Sequence, residues 1–168
     1  MSELDVARAE ERRPILQPFT LRPGQHQPLN VVGEQITVLA SGIQTGSYEL
    51  FHQVGPEGSG PPPHNHPWDE SFYVIAGEIM FSINDHEESA APGTLVHLPA
   101  GTKHWFRFGE GGGELLSITS REGVSQLFIS LDREISPDEP DFDKLVEISV
   151  RHGLEILVPS TISGGGSL

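Results

Sequence analysis

Interruption of the backbone constrains this chain more than any other feature. It carries 19 glycines and 14 prolines among 168 residues, roughly a fifth of the chain where about 12% is usual. Punctuation that dense leaves little room for long helices and favours many short strands joined by tight turns. β-Branched and aromatic runs recur between the breaks and read as strands over 36–40, 47–54, 71–76, 78–84, 94–98, 104–108, 114–119 and 125–131. Gly77 is expected to turn the chain between two of them, and Asn84-Asp85 to begin another turn. Pro61, Pro62 and Pro63 remove three amide donors in a row, so 55–63 reads as a loop. Near the C-terminus Phe142, Leu145, Val146 and Val150 follow helical spacing, with Asp141 placed to cap the start and Gly153 to end it. The expected architecture is all-β, a closed barrel or sandwich followed by one C-terminal helix.

The length suits one domain. Its expected parts are a flexible arm over 1–13, the barrel over 14–135, the helix with a strand-like extension over 136–159, and a flexible tail over 160–168. A net charge of −14 speaks against nucleic acid and anionic membrane surfaces as partners. The absence of cysteine excludes disulfides and thiol nucleophiles. No apolar run reaches the ~18 residues of a membrane span, and the start MSELDVARAEERRP lacks the apolar core of a secretory signal. The expected location is the cytoplasm.

The chemistry concentrates in Gly58-SGPPP-His64-Asn65-His66-PWD-Glu70-SFYVIA-Gly77. On a strand His64 and His66 project from one face, and Glu70 keeps the same parity. His104 begins a second segment after Pro99-Ala100-Gly101 and is placed to add a fourth donor from a neighbouring strand. Imidazole and carboxylate together suit several divalent ions. Three histidines and one glutamate around a six-coordinate ion leave two adjacent positions open for a chelating enolate, or for a substrate oxygen beside dioxygen or water. Hydrogen-bonded core histidines are the alternative reading of the same residues. His26, His52, His86 and His152 have no partner in the sequence and read as surface or loop residues, and His97 faces away from the set. Phe51, Trp68, Phe72, Met80, Phe106 and Phe108 are the candidate pocket residues, an apolar lining that favours a planar or aromatic small molecule. Arg107 has outward parity.

The first stretch keeps every specified residue of the pattern G-x5-H-x-H-x3-E-x6-G over 58–77. The second keeps G-x5-P-x-G-x2-H-x3-N over 93–108 except that Phe108 stands where asparagine is usual. In both, the chain resembles the cupin superfamily. The resemblance implies a small antiparallel jelly-roll barrel with one divalent metal ion held by His64, His66, Glu70 and His104, the ion being iron, manganese, nickel, cobalt, copper or zinc. The stretch HNHPWDESFYVIAGE and the ending FDKLVEISVRHGLEILVP are similar to bacterial quercetin dioxygenase-like cupins. That narrower likeness implies a metal-dependent dioxygenase that cleaves a flavonol-type substrate with O2 and releases carbon monoxide, Glu70 serving as both ligand and catalytic base. A non-redox metal cupin, either an isomerase or a polyketide-type cyclase, and a small-molecule-binding cupin without turnover are the alternatives. The resemblance also implies a homodimer, with 14–23 a candidate to cross onto the partner.

Overall fold

The computed structural model describes residues 16–120 and 123–157. The arm expected over 1–13, the first two residues of 14–23 and the tail expected over 160–168 lie outside the described residues. In chain order the elements are β1 (Leu29–Val31), β2 (Glu34–Ala40), α1 (Gly42–Thr45), β3 (Glu49–Gly55), β4 (His64–Asn65), β5 (Glu70–Ile83), β6 (His86–Ala90), β7 (Leu95–Leu98), β8 (His104–Thr119), α2 (Val124–Glu134), α3 (Phe142–Arg151) and β9 (Glu155–Ile156). The strands form one antiparallel sheet with the path β1-β2-β3-β8-β4-β9, while β5 pairs with β6, β7 and β8.

This corrects the expectation of an all-β closed barrel with one C-terminal helix. The sheet is curled but not fully closed, since its ends at β1 and β9 do not pair, and three helices accompany it. The segment 125–131, expected as a strand, lies inside α2. Val124, Leu127, Phe128 and Leu131 repeat at helical spacing, and Val124, Leu127 and Leu131 are buried against the sheet. Burial of that single stripe outweighs the β-branched content of the segment. The helix α3 falls where its spacing predicts, and the Asp141 carboxylate accepts the Lys144 N–H at its start.

Gly77 is not the turn expected of it. β5 runs through it as one strand of 14 residues and pairs with β8, a strand of 16 residues. The register shifts between Gly77 and Ile79, Gly77 has φ 77°, and a Cβ there would run into the Gly112 carbonyl. Glycine therefore permits a bend within the strand. The bend turns the two halves of β5 toward each other, so that the rings of Phe72 and Phe81 lie 6.0 Å apart. Asn84 and Asp85, with φ 49° and 67°, form the two-residue turn to β6 that the sequence leads one to expect.

Two apolar clusters result. One fills the curl with Phe72, Val74, Ile79, Phe81, Phe106, Phe108 and Leu115. The other lies between the sheet and the helices, where Ile36, Phe51 and Trp68 meet Leu127, Leu131 and Ile148. A buried carboxylate, Glu49, ties the second layer together. It accepts hydrogen bonds from Gly42 N–H (2.9 Å), Ser125 N–H (2.8 Å) and the Ser125 hydroxyl (2.7 Å), joining β3 to the starts of α1 and α2.

Candidate metal centre

The curl brings together residues that are far apart along the strands. His64 on β4 is the cross-strand partner of His104 at the start of β8. Glu70, at the start of β5, pairs with Thr119 at the other end of β8. Bending of β5 and β8 closes that gap, and one donor atom from each of His64, His66, Glu70 and His104 lies within 4.8 Å of the others. All three histidines are buried. Among the described residues, these four are the set of histidine and carboxylate groups so placed.

Local hydrogen bonds fix how each imidazole presents itself. The Nδ1 of His64 lies 2.8 Å from the Pro62 carbonyl, that of His66 2.9 Å from the Trp68 carbonyl, and that of His104 2.8 Å from the Thr102 carbonyl. A carbonyl only accepts, so each Nδ1 carries the proton and donates it. Each Nε2 then turns a lone pair to the centre. The indole of Trp68 stacks on the His66 ring with centroids 4.3 Å apart and planes 2° from parallel, which holds its orientation. Glu70 Oε2 stands 2.9 Å from His66 Nε2 and 3.5 Å from His104 Nε2.

Three lone pairs and a carboxylate oxygen thus face one point, and only a cation or an added proton relieves the repulsion. Metal-binding histidines take this form, with the remote nitrogen tied off by a carbonyl. Burial, reinforced by the nearby His104, pushes the His64 pKa down to about 3, so His64 is neutral and able to coordinate at ordinary pH. Burial would raise the Glu70 carboxyl, but it is outweighed by His104 and His66, which pair with the carboxylate when Nε2 carries an added proton, so the group lies below the usual carboxylate range. The donor set fits a divalent ion of the nitrogen- and oxygen-binding kind. It does not select one such ion.

The loop before the centre is built for acceptance. The three prolines lack donors, yet every one of their carbonyls is used: Pro61 accepts from Arg107, Pro62 from His64, and Pro63 from Leu157 N–H. Gly60 has φ 142°, and a Cβ there would strike the Phe106 carbonyl, so the loop can lie flat along β8 only with glycine at that position.

A cavity of about 350 Å³ adjoins the four residues, within the roughly 300–1,000 Å³ of small-molecule sites. Of the candidate pocket residues, Phe51, Trp68, Phe72 and Phe106 line it. Phe108 and Met80 do not. Phe108 is sealed in the core of the curl, while Met80 lies between inward Ile79 and Phe81 and so faces outward, partly exposed. Arg107 has the outward parity expected of it, but its guanidinium folds back to the Pro61 and Phe106 carbonyls and borders the cavity. Sequence reasoning missed the Leu127–Phe128–Leu131 wall from α2, the buried pair in which Gln53 donates to the Ser117 hydroxyl (2.6 Å), and Glu34. The spacing of Val124, Leu127, Phe128 and Leu131 was a signal for the first, and the inward alternation of Glu34 with Ile36 for the last.

Comparison with known proteins agrees with this geometry. The family model for the cupin domain matches residues 50–119, which include all four cluster residues. Quercetin 2,3-dioxygenase of Bacillus subtilis (strain 168) is 24% identical over 152 residues, covering 84% of this chain and 45% of that protein. The chain spans about half the length of this relative. Among solved structures, KdgF from Halomonas sp. superposes with a TM-score of 0.59 at 19% identity, over 65% of this chain and 99% of that one. An RmlC-like cupin from Shewanella frigidimarina gives 0.56 at 16% identity, over 62% and 91%. The polyketide cyclase RemF from Streptomyces resistomycificus gives 0.54 at 19% identity, over 61% and 79%. At these identities the structural likeness establishes the fold. The cupin-domain match over 50–119 and the likeness to these structures together show a cupin-type fold.

Proposed function

We propose that the protein is a metal-dependent dioxygenase that opens an enolisable aromatic substrate of flavonol type with O2. One observation carries the reading: a part-buried glutamate sits among three buried histidines at the wall of an apolar, aromatic-lined cavity. The sequence likeness to a quercetin 2,3-dioxygenase supports the substrate class.

A divalent ion held by His64, His66, Glu70 and His104 would supply Lewis acidity toward a substrate hydroxyl. The chain's residues do the rest. Glu70, ionised before the substrate enters, would accept the proton that the hydroxyl gives up and become neutral. The carbonyls of Pro62, Trp68 and Thr102 hold the imidazoles in place throughout. Phe51, Phe72 and Phe106 provide an apolar surface against which a flat ring system packs, and α2 packs on the Phe51 side of it.

The test is oxygen uptake with quercetin, using metal-free protein reconstituted separately with manganese, iron, cobalt, nickel and copper. Uptake with carbon monoxide release, abolished in His104→Ala and strongly reduced in Glu70→Gln, is the expected result. Protein that holds one ion per chain yet consumes no oxygen with any metal would overturn the reading. Turnover that continues without oxygen would identify a non-redox enzyme instead.

A further inference from the structure

Because the sheet does not close, the cavity reaches the surface between two lips. One is the β1–β2 hairpin, turning at Val32-Gly33. The other is the loop Gly58–Pro62 lying along β8. Val32 and Gly58 are the exposed members of the cavity wall. Just inside stands Glu34, 7% exposed, on the inward face of β2. Counted along the paired strands, it lies three side-chain rows from Glu70, beyond Phe51 and Ile36.

No described residue hydrogen-bonds to the Glu34 carboxyl or forms an ion pair with it. Arg107 is close enough to be felt, but its Nη1 donates to the Pro61 and Phe106 carbonyls and none of its nitrogens reaches Glu34. Burial raises the carboxyl to about 7, with the Arg107 charge opposing the rise. The carboxyl oxygens keep contact with solvent, and Glu34 lines the cavity, so they are open to a ligand there. A ligand bringing a hydroxyl to this point would supply the missing hydrogen bond, whichever protonation state the carboxyl holds.

We propose that Glu34 is a specificity residue that hydrogen-bonds a phenolic hydroxyl at the end of the substrate remote from its metal-chelating group. The protein then selects polyhydroxylated aromatic ligands over those that carry only the chelating unit. This rests on the flavonol reading above and narrows it. The physical basis is asymmetric: a site built to pair with a hydroxyl rejects the analogue that lacks it, because the analogue would cover the carboxyl, displace its water and leave it unpaired.

The experiment compares two probes that share the 3-hydroxy-4-keto chelating unit, quercetin and 3-hydroxyflavone, of which only quercetin bears further hydroxyls. Calorimetric Kd values are measured on zinc-loaded protein, where no oxygen chemistry consumes the ligand. Wild type is expected to favour quercetin by about tenfold or more. Glu34→Ala loses that preference while its affinity for 3-hydroxyflavone stays within about twofold of wild type, which also reports an intact fold. Glu34→Leu serves the same purpose should the alanine variant not fold, and Glu34→Gln keeps most of the preference because its amide still pairs with a phenol. A wild-type preference that survives in Glu34→Ala or Glu34→Leu, or no preference in wild type, overturns the assignment of Glu34. Failure of wild type to bind either flavonol overturns the flavonol reading itself, and this inference with it.

Discussion

Glu49 and Glu34 are buried carboxylates on adjacent strands, and the fold treats them in opposite ways. Glu49, on the side covered by the helices, accepts three hydrogen bonds from Gly42 and Ser125. Glu34, beside the open seam, accepts none from any described residue, although a guanidinium lies nearby. Glu70 stands between the extremes, surrounded by imidazoles whose remote nitrogens are already tied off. The difference separates two uses of a buried charge. A carboxylate that holds the chain together uses up the chain's own donors, whereas one that meets a ligand or an ion faces a cavity with its partner still to come.

The largest effect should come from disturbing the middle case. His104→Ala removes one of four donors, and divalent metal affinity is expected to fall by at least about 100-fold, more than loss of an outer hydrogen-bond partner would cause. Metal content after equilibrium dialysis checks this, and retention of one ion per chain at wild-type affinity would break the assignment of His104 as a ligand. Next comes the structural carboxylate. Glu49→Ala strands two N–H groups and a hydroxyl beneath the helices and should cost about 3 kcal/mol in urea unfolding. A cost below about 1 kcal/mol would mean that Glu49 does not hold α2 to the sheet.

Glu34 should behave with the opposite sign. Its carboxyl titrates near 7 in the folded protein against an ordinary value of 4.5, so the folded state keeps a proton that the unfolded chain releases between those values. Stability from this group therefore falls as pH rises from about 4.5 to about 7 and is level above that range, a total of about 3 kcal/mol. Glu34→Gln removes the slope, so relative to wild type the variant should gain up to about 3 kcal/mol between pH 4.5 and pH 8. Urea unfolding at both pH values measures it, and a pH-independent difference would sink the claim that the group is unpaired and buried. The smallest effect belongs to the lip. Val32 has φ 52°, a costly conformation for a β-branched side chain. Val32→Asn gives the Asn-Gly pair that such a hairpin turn prefers, and a gain of about 1 kcal/mol in thermal unfolding is expected. No gain would show that the seam's hairpin is unstrained.

His64 and His66 are legible in the sequence because their relation is local, whereas the convergence of Glu70 and His104 on them is what the family resemblance implies and what the curl brings about. Alternation places His64 beside His66, and the Pro-Ala-Gly turn starts the strand at His104. The pocket was only partly legible. Phe72 and Phe106 followed from parity with the histidines, but Met80 was assigned to the cavity although the inward neighbours Ile79 and Phe81 place it on the outer face. The segment at α2 was misread because its apolar residues satisfy a strand by composition and a helix by spacing, and only packing against Phe51 and Ile36 separates the two.

What the sequence by itself determined is the shared face of His64 and His66, the proline loop, the Asn84-Asp85 turn and the helix begun by Asp141. All of these depend on residues a few positions apart, whose φ preferences and side-chain directions act before the chain collapses. Tertiary structure alone decided that Gly77 bends a continuous strand, that the sheet curls without closing and brings Glu70 and His104 to His64 and His66, and that Glu34 faces the cavity with no partner among the described residues. Each of those depends on which surfaces meet across dozens of residues, and burial and hydrogen-bond satisfaction exist only once they have met.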